Sequence, residues 1–303
     1  MPAACLRLAV VLLLAGPLVL RAEDERAYVP PSPWVLGVGA GAMHQFSAGL
    51  DAGGAFSADR LNAGVSLTRV LQQRHTVTLA LGYGYSVYDF SRGLGAAAAT
   101  APWDDVQTLS LAVPVQWHLD QTWTLLATPF LSATAETSAD LGDGVTGGAL
   151  LGATYSVTQR LTLGLGVYAA SRIADEATIV PVPILDWRVT DTVQLATDTT
   201  GGPGLFLRWQ ATPALNLGAG ARYDALRFRL ADDALVPGGV GQDRGVALLV
   251  TGTYAFFRQG EVTLQAGVRA FGELRVEDDD GNAVVKDDYG PAPFAGIAFN
   301  WRY

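Results

Sequence analysis

The chain is poor in the residues from which most active centres are made. Of its 303 residues, three are histidine, two methionine and one cysteine. That cysteine, Cys5, lies too near the start to be a lipoprotein site, so the rest of the chain has neither disulfides nor thiolate chemistry. Charge is scarce as well: 16% of residues carry it, with 29 Asp and Glu against 20 Lys and Arg. An acidic balance of this kind excludes a nucleic-acid binder, which needs a basic face. Long hydrophobic runs are missing too. Beyond the first 22 residues none approaches the roughly 20 apolar residues that a membrane-spanning helix needs.

Half of the residues are nonetheless hydrophobic, which is oily for a soluble protein. The first 22 account for some of this: Arg7, an apolar core from Leu8 to Leu20 broken by Pro17, and Ala22 ahead of Glu23, Asp24 and Glu25. This is the layout of a secretory signal peptide. Its removal takes Arg7 and Arg21 away, leaving 18 basic against 29 acidic residues, a net charge of −11. Residues 23–33 read as a polar, proline-rich periplasmic lead-in and 34–303 as the folded body.

The rest of the apolar content is distributed at every second position. At the end of the chain Ile297, Phe299, Trp301 and Tyr303 alternate with Ala298, Asn300 and Arg302. In 75–90, Val77, Leu79, Leu81, Tyr83, Tyr85 and Val87 alternate with Thr76, Thr78, Ala80, Gly82, Gly84 and Ser86. A period of two belongs to a strand with one oily and one wet face. Strands are also expected over 35–48 and 61–71. Hairpins follow at 107–119 with 123–136, 147–157 with 161–173, 182–189 with 193–196, 204–210 with 215–230, and 246–257 with 262–275. Their connections are short and polar, such as Asp120-Gln121. Longer acidic or glycine-rich stretches at 91–104, 232–244 and 277–290 join one hairpin to the next. The fold class expected is all-β: a transmembrane antiparallel up-and-down barrel of 12 to 14 strands, 14 preferred, with short periplasmic turns and longer extracellular loops. A soluble two-domain β-sandwich is the runner-up on composition.

Trp117, Trp123, Tyr155, Trp187, Trp209, Tyr254 and Trp301 all fall on apolar faces beside a short turn or the chain end. Such residues settle at the headgroup level of a membrane, so together they read as an aromatic girdle. Phe299, Trp301 and Tyr303 read as a signal for the barrel assembly machinery, and the expected location is the cell outer membrane.

The sequence also resembles a set of Gram-negative outer-membrane barrels known as a domain of unknown function. The resemblance is carried by Pro181-Val182-Pro183, Asp186-Trp187-Arg188, Gly201-Gly202-Pro203-Gly204, Glu273-Leu274-Arg275 with Asp278 to Asn282, and Tyr289-Gly290-Pro291-Ala292-Pro293. It implies a fold and a compartment, with no activity and no catalytic residues.

By alternation the inward face of the early strands is small: Gly82, Gly84, Ser86, Thr108, Ser110, Thr124, Thr128, Gly164 and Gly166. The later strands place Arg172, Asp186, Arg188, Arg208, Arg222, Asp224, Arg269, Glu273 and Arg275 inside. Two roles fit this mixed-charge wall. The charges pair across strands and fill the interior of a structural envelope barrel, or they line a passive, arginine-rich pore for small anionic or zwitterionic solutes. An outer-membrane lipid hydrolase needs a serine beside its histidine base. His75 and His118 flank short periplasmic turns. His44, with Ser47 three residues on and on the opposite strand face, is a poor pair, so no catalytic residue is assigned. The glycines at 37, 39 and 41 lack the helix start of a phosphate loop. The acidic loop Asp278 to Asn282 is a solvated hairpin tip before it is a calcium site, because the closing glutamate of a calcium loop is absent. No cofactor and no metal are expected. The partners expected are outer-membrane lipid, lipopolysaccharide and the assembly machinery, with the protein a monomer.

Overall fold

The structure is a computed structural model that describes residues 33–72, 74–92, 94, 101–199 and 202–303. The expected signal segment 1–22 and all of the lead-in but Pro33 lie outside the described residues. The strand segments are β1 (Trp34–Gly49), β2 (Ala55–Leu71), β3 (His75–Phe90), β4 (Asp105–Ala112), β5 (Val115–His118), β6 (Trp123–Glu136), β7 (Val145–Thr158) and β8 (Leu161–Arg172). They continue with β9 (Asp175–Arg188), β10 (Val193–Asp198), β11 (Gly204–Gln210), β12 (Leu215–Arg229), β13 (Val240–Ala255), β14 (Gly260–Glu277), β15 (Ala283–Tyr289) and β16 (Ala292–Arg302).

β4 and β5 are one wall strand interrupted at Val113-Pro114, since both pair with β3 and with β6. β15 and β16 are likewise one strand, broken at Gly290-Pro291 and laid along β14. Each neighbour in the wall is antiparallel, and β1 closes on β16 from Gly37–Arg302 to Gln45–Phe294. The result is a closed 14-strand up-and-down barrel. The β1–β16 seam leaves neither the first nor the last strand with a free edge there, as a membrane-spanning sheet requires. Among the described residues no helix is long and apolar enough to cross a membrane.

Alternation determines what each face meets. Leu79, Leu81, Tyr83, Leu163, Leu165, Val167, Leu248, Val250, Leu264 and Ile297 are large, apolar and exposed on the outside. The buried core lies inside, at the extracellular end of the lumen. The loops at that end are unequal: 91–104 and 230–239 are long, whereas Ile173 and Ala174 alone separate β8 from β9. Residues 283–289, expected as loop, form β15, and β9 begins seven residues before the expected 182.

Candidate functional site

Three features define the interior: a plug, a buried ionic hub beneath it and a break in the wall. The plug begins with inward side chains that the small-residue pattern does not anticipate. Phe56, Tyr88, Phe228, Leu274, Val276 and Tyr289 point into the extracellular end of the lumen, and Leu94 and Trp103 from the 91–104 connection drop onto them. Trp103 meets Phe228, Tyr88 and Phe90 edge to face. The upper part of β12 leans in to close this end, and Arg229 forms a parallel bridge with Ala135 of β6. Glu136 fastens the two connections, accepting from the amides of Ala231 at 2.7 Å and Asp104 at 3.3 Å.

Below the plug, Asp243 of β13 is wholly buried and holds both Arg60 of β2, at 2.7 Å, and Arg269 of β14, at 2.9 Å. The hydroxyls of Tyr88 and Tyr289 donate to the same carboxylate at 2.9 and 3.0 Å. A carboxylate removed from water needs partners of this kind. The hub ties β2 and β3 to the β13–β15 side of the wall beneath the plug.

Several of the sequence-derived lumen charges face inward in short-range pairs. Arg208 meets Asp198 at 2.9 Å, Arg222 meets Asp224 at 2.5 Å, and Gln194 donates to Asp186 at 2.7 Å. Arg188 lies level with Gln194 on the neighbouring strand. Arg172 binds Asp175 across the β8–β9 turn at 2.5 Å. Glu273 and Arg275 are not lumen residues, which corrects the expectation from alternation. Phe271 adopts φ 52° and the β13–β14 register shifts beside it, so the faces exchange and Leu274 and Val276 point inward instead. Glu273 binds Arg244 and Lys286 on the outer face, in a notch of about 490 Å³ that includes Phe271 and Asp288. Arg275 pairs with Glu277. The alternation missed Arg60, Gln45, Asp243 and Trp103. The detectable signals were a tryptophan inside a glycine- and alanine-rich loop and charges within otherwise apolar strands.

The wall itself is incomplete. β9 pairs with β8 along its length, but its other edge meets β10 only from Asp186 to Arg188. From Glu176 to Ile184 no strand pairs with that edge among the described residues. The facing edge of β12 loses its partner above Tyr223, whose amide donates to Pro203. Arg227 bounds the break at the top, binding the carbonyl of Ile173 at 2.8 Å and Glu277 at 2.5 Å.

The remaining expected site residues can now be located. His44 Nδ1 contacts Asp59 at 2.7 Å and the ring packs on Phe46; no serine hydroxyl is among its contacts. His75 stacks on Trp117 and accepts from the His118 amide. In the acidic loop, Asp278 accepts from the amides of Asp280 and Asn282 and from the Asn282 side chain, so its carboxylate is committed to the turn. Among the described residues no three His, Cys, Asp or Glu side chains gather as a metal site.

Trp117, Trp123, Tyr155, Trp187, Trp209 and Tyr254 are all exposed on the outside at the short-turn end, and Trp301 packs there with Phe256 and Phe299. Above them the outward positions of the wall are apolar, as at Leu79, Leu165, Leu248 and Ile297. The chain is an outer-membrane β-barrel. No family model matches it and no curated protein matches it, so the likeness of its motifs to barrels of unknown function stays a likeness. Solved structures similar to it include the COG4313 outer membrane channel from Pseudomonas putida F1, with TM-score 0.48, 14% identity, and coverage of 93% of this chain and 99% of that one. A Pseudomonas aeruginosa FadL homologue gives TM-score 0.45 at 10% identity over 91% and 93%. The P. putida toluene transporter TodX gives 0.44 at 10% over 91% of each chain. These likenesses bring no substrate and no site residue to this chain.

Proposed function

We propose that the protein is a passive outer-membrane channel for small solutes. The observation that carries this reading is the contrast between the two ends of the lumen. At the extracellular end the inward side chains are buried among one another. Further down, the inward-facing Asp186 and Gln210 are exposed and Val180 is 44% exposed, which requires open space beside them. A barrel serving only as an envelope strut would fill that space with packed or paired side chains. In this reading the paired charges at Asp198, Arg208, Arg222 and Asp224 line the passage rather than close it. The channel works as a monomer in contact with outer-membrane lipid and lipopolysaccharide, and Phe299, Trp301 and Tyr303 serve its insertion by the assembly machinery.

The refolded full chain in a planar bilayer and in swelling liposomes tests this. Discrete conductance or entry of a small neutral sugar supports the channel. A heat-modifiable barrel that passes neither ions, sugars nor apolar probes overturns it in favour of the structural role.

A further inference from the structure

We propose that the break between β9 and β12 is a side window through which small apolar or amphipathic molecules pass between the outer leaflet and the lumen. The inference rests on the channel reading above and names its entrance and its solute class.

The plug and the Asp243 hub pack side chains into the extracellular end of the lumen, which favours an entrance through the wall. The wall supplies one. The unpaired stretch of β9 runs from Ile184 up to Glu176, roughly 26 Å of strand at about 3.3 Å per residue. With a tilt near 40° this is about 20 Å of height, enough to open onto the outer half of the apolar belt. The window is framed: the β9–β10 rungs at Asp186 to Arg188 close it below, and Arg227 bridging to Ile173 closes it above.

The chemistry of the open edge indicates what fills it. A free strand edge in hydrocarbon leaves N–H groups without partners, which is costly because no water is there to bond them. On β9 the edge-directed donors belong to the odd-numbered residues, as the Leu185 amide shows by donating to the Thr197 hydroxyl at 3.0 Å. Two of the next positions are Pro181 and Pro183, which have no N–H to leave unsatisfied. A water-filled slot would hydrate its own edge and gain nothing from proline. An edge that has lost two of its four donors to proline, Ala177 and Ile179 keeping theirs, is better suited to apolar surroundings than an ordinary free edge.

The chamber behind the window agrees. The register sets Leu150 beside Tyr168 and Tyr168 beside Val180, and Phe130 stacks on Tyr168. All four point inward, on the face that a hydrophilic pore makes polar. Across the lumen Phe206, Leu249 and Phe294 form a second apolar cluster, with Arg208 over the Phe206 ring. A molecule with an apolar body and a small polar end can slide between the two walls and meet the charged pairs nearer the periplasm.

Entry of the apolar fluorophore N-phenyl-1-naphthylamine into intact cells, with and without the full chain, tests the window. Liposome swelling with arabinose runs in parallel. The wild-type chain should accelerate entry of the fluorophore, and Val180→Trp and Val182→Trp, which crowd the inner side of the window, should return it to background. Val180→Asp, a small side chain placing charge there, guards against a misfolded tryptophan variant and should have the same effect. Each variant is compared at equal amounts of heat-modifiable barrel. If the tryptophan and aspartate variants pass the fluorophore at the wild-type rate, the window is not the route. If wild type admits arabinose and not the fluorophore, the channel stands and the solute class assigned here is wrong. If it admits neither, the channel reading falls with the window.

Discussion

Asp243 and Arg269 face each other across the β13–β14 ladder with 2.9 Å between carboxylate and guanidinium, both buried inside the lumen. Arg60, 183 residues away in sequence, reaches the same oxygen. Removing the carboxylate leaves two arginines facing each other without compensation, whereas the same change at a surface pair would cost little. Asp243→Ala is expected to destabilise the barrel by about 3–5 kcal/mol, and Asp243→Asn by less, because the amide keeps one accepting oxygen and its NH2 can donate to the oxygen of a tyrosine hydroxyl. The temperature at which the folded band is lost on gels measures this. Equal stability of Asp243→Ala and wild type would show the hub to be dispensable.

Trp103 is the largest side chain in the plug and is almost wholly enclosed. Truncation removes its transfer free energy and leaves a cavity that the ring contacts with Phe228 and Tyr88 cannot fill. Trp103→Ala should cost about 3–5 kcal/mol if the plug and barrel unfold together. If they unfold separately, the loss appears as protease cleavage within 91–104 while the barrel stays heat-modifiable. Resistance of that loop to cleavage in the variant would count against a plug held by Trp103.

Much of the wall was legible in the sequence because lipid requires it. Outward positions such as Leu79, Leu81 and Leu165 have no solvent but hydrocarbon, so the period of two survives in β3 and β8 without tertiary information. The outward exposure of Trp117, Trp123 and Tyr155 was legible for the same reason. Alternation fails where the backbone leaves the regular strand. One residue, Phe271, in a left-handed conformation exchanges the faces of β14, and that moves Glu273 and Arg275 from the lumen to the outside. The plug and hub were illegible because they depend on contacts between residues far apart in the chain: Trp103 on Phe228, Arg60 on Asp243. Pro181 and Pro183 stood in plain view, and only the register shows that β10 leaves the edge they occupy.

In the turn between β5 and β6, one carboxylate oxygen of Asp120 accepts from the amides of Trp123 and Thr122 at 2.7 Å each and from the Thr122 hydroxyl at 2.8 Å. These bonds, that from Trp123 foremost, hold its pKa below the ordinary 3.8. A depressed carboxylate contributes order that is fully present above the unfolded value and lost as pH falls through the folded one. The turn should therefore stay ordered at pH 5 and loosen only below about 3.8, and Asp120→Asn should weaken it at pH 5 and above while losing the pH dependence. Amide exchange at Trp123 followed against pH checks this. A transition centred above the ordinary value would contradict the assignment.

Tyr303 exchanges backbone bonds with Leu36 across the seam, its amide donating at 2.8 Å and its carbonyl accepting at 3.1 Å, while its ring is exposed. Tyr303→Ala keeps both bonds. Refolding into detergent micelles should be close to wild type, and the amount of protein reaching the outer membrane in cells should fall. Equal amounts in cells would remove Tyr303 from the assembly signal.

The Thr197 hydroxyl caps the Leu185 amide at the foot of the open edge of β9, and Thr197→Val keeps its shape while removing the hydroxyl. The Leu185 amide then has the surrounding medium alone to bond. In hydrocarbon or against an apolar solute the loss should be about 1–3 kcal/mol. In water it should be near zero, because a water molecule replaces the hydroxyl. Thr190, whose hydroxyl caps the Val193 amide in an exposed periplasmic turn, provides the wet reference. Unfolding of Thr197→Val and Thr190→Val, measured side by side in urea with the barrel in lipid vesicles, separates the two media. A larger loss at Thr197 means that the edge is dry, whereas equal small losses mean that water lines the break, and solutes of a different polarity would have to be sought for it.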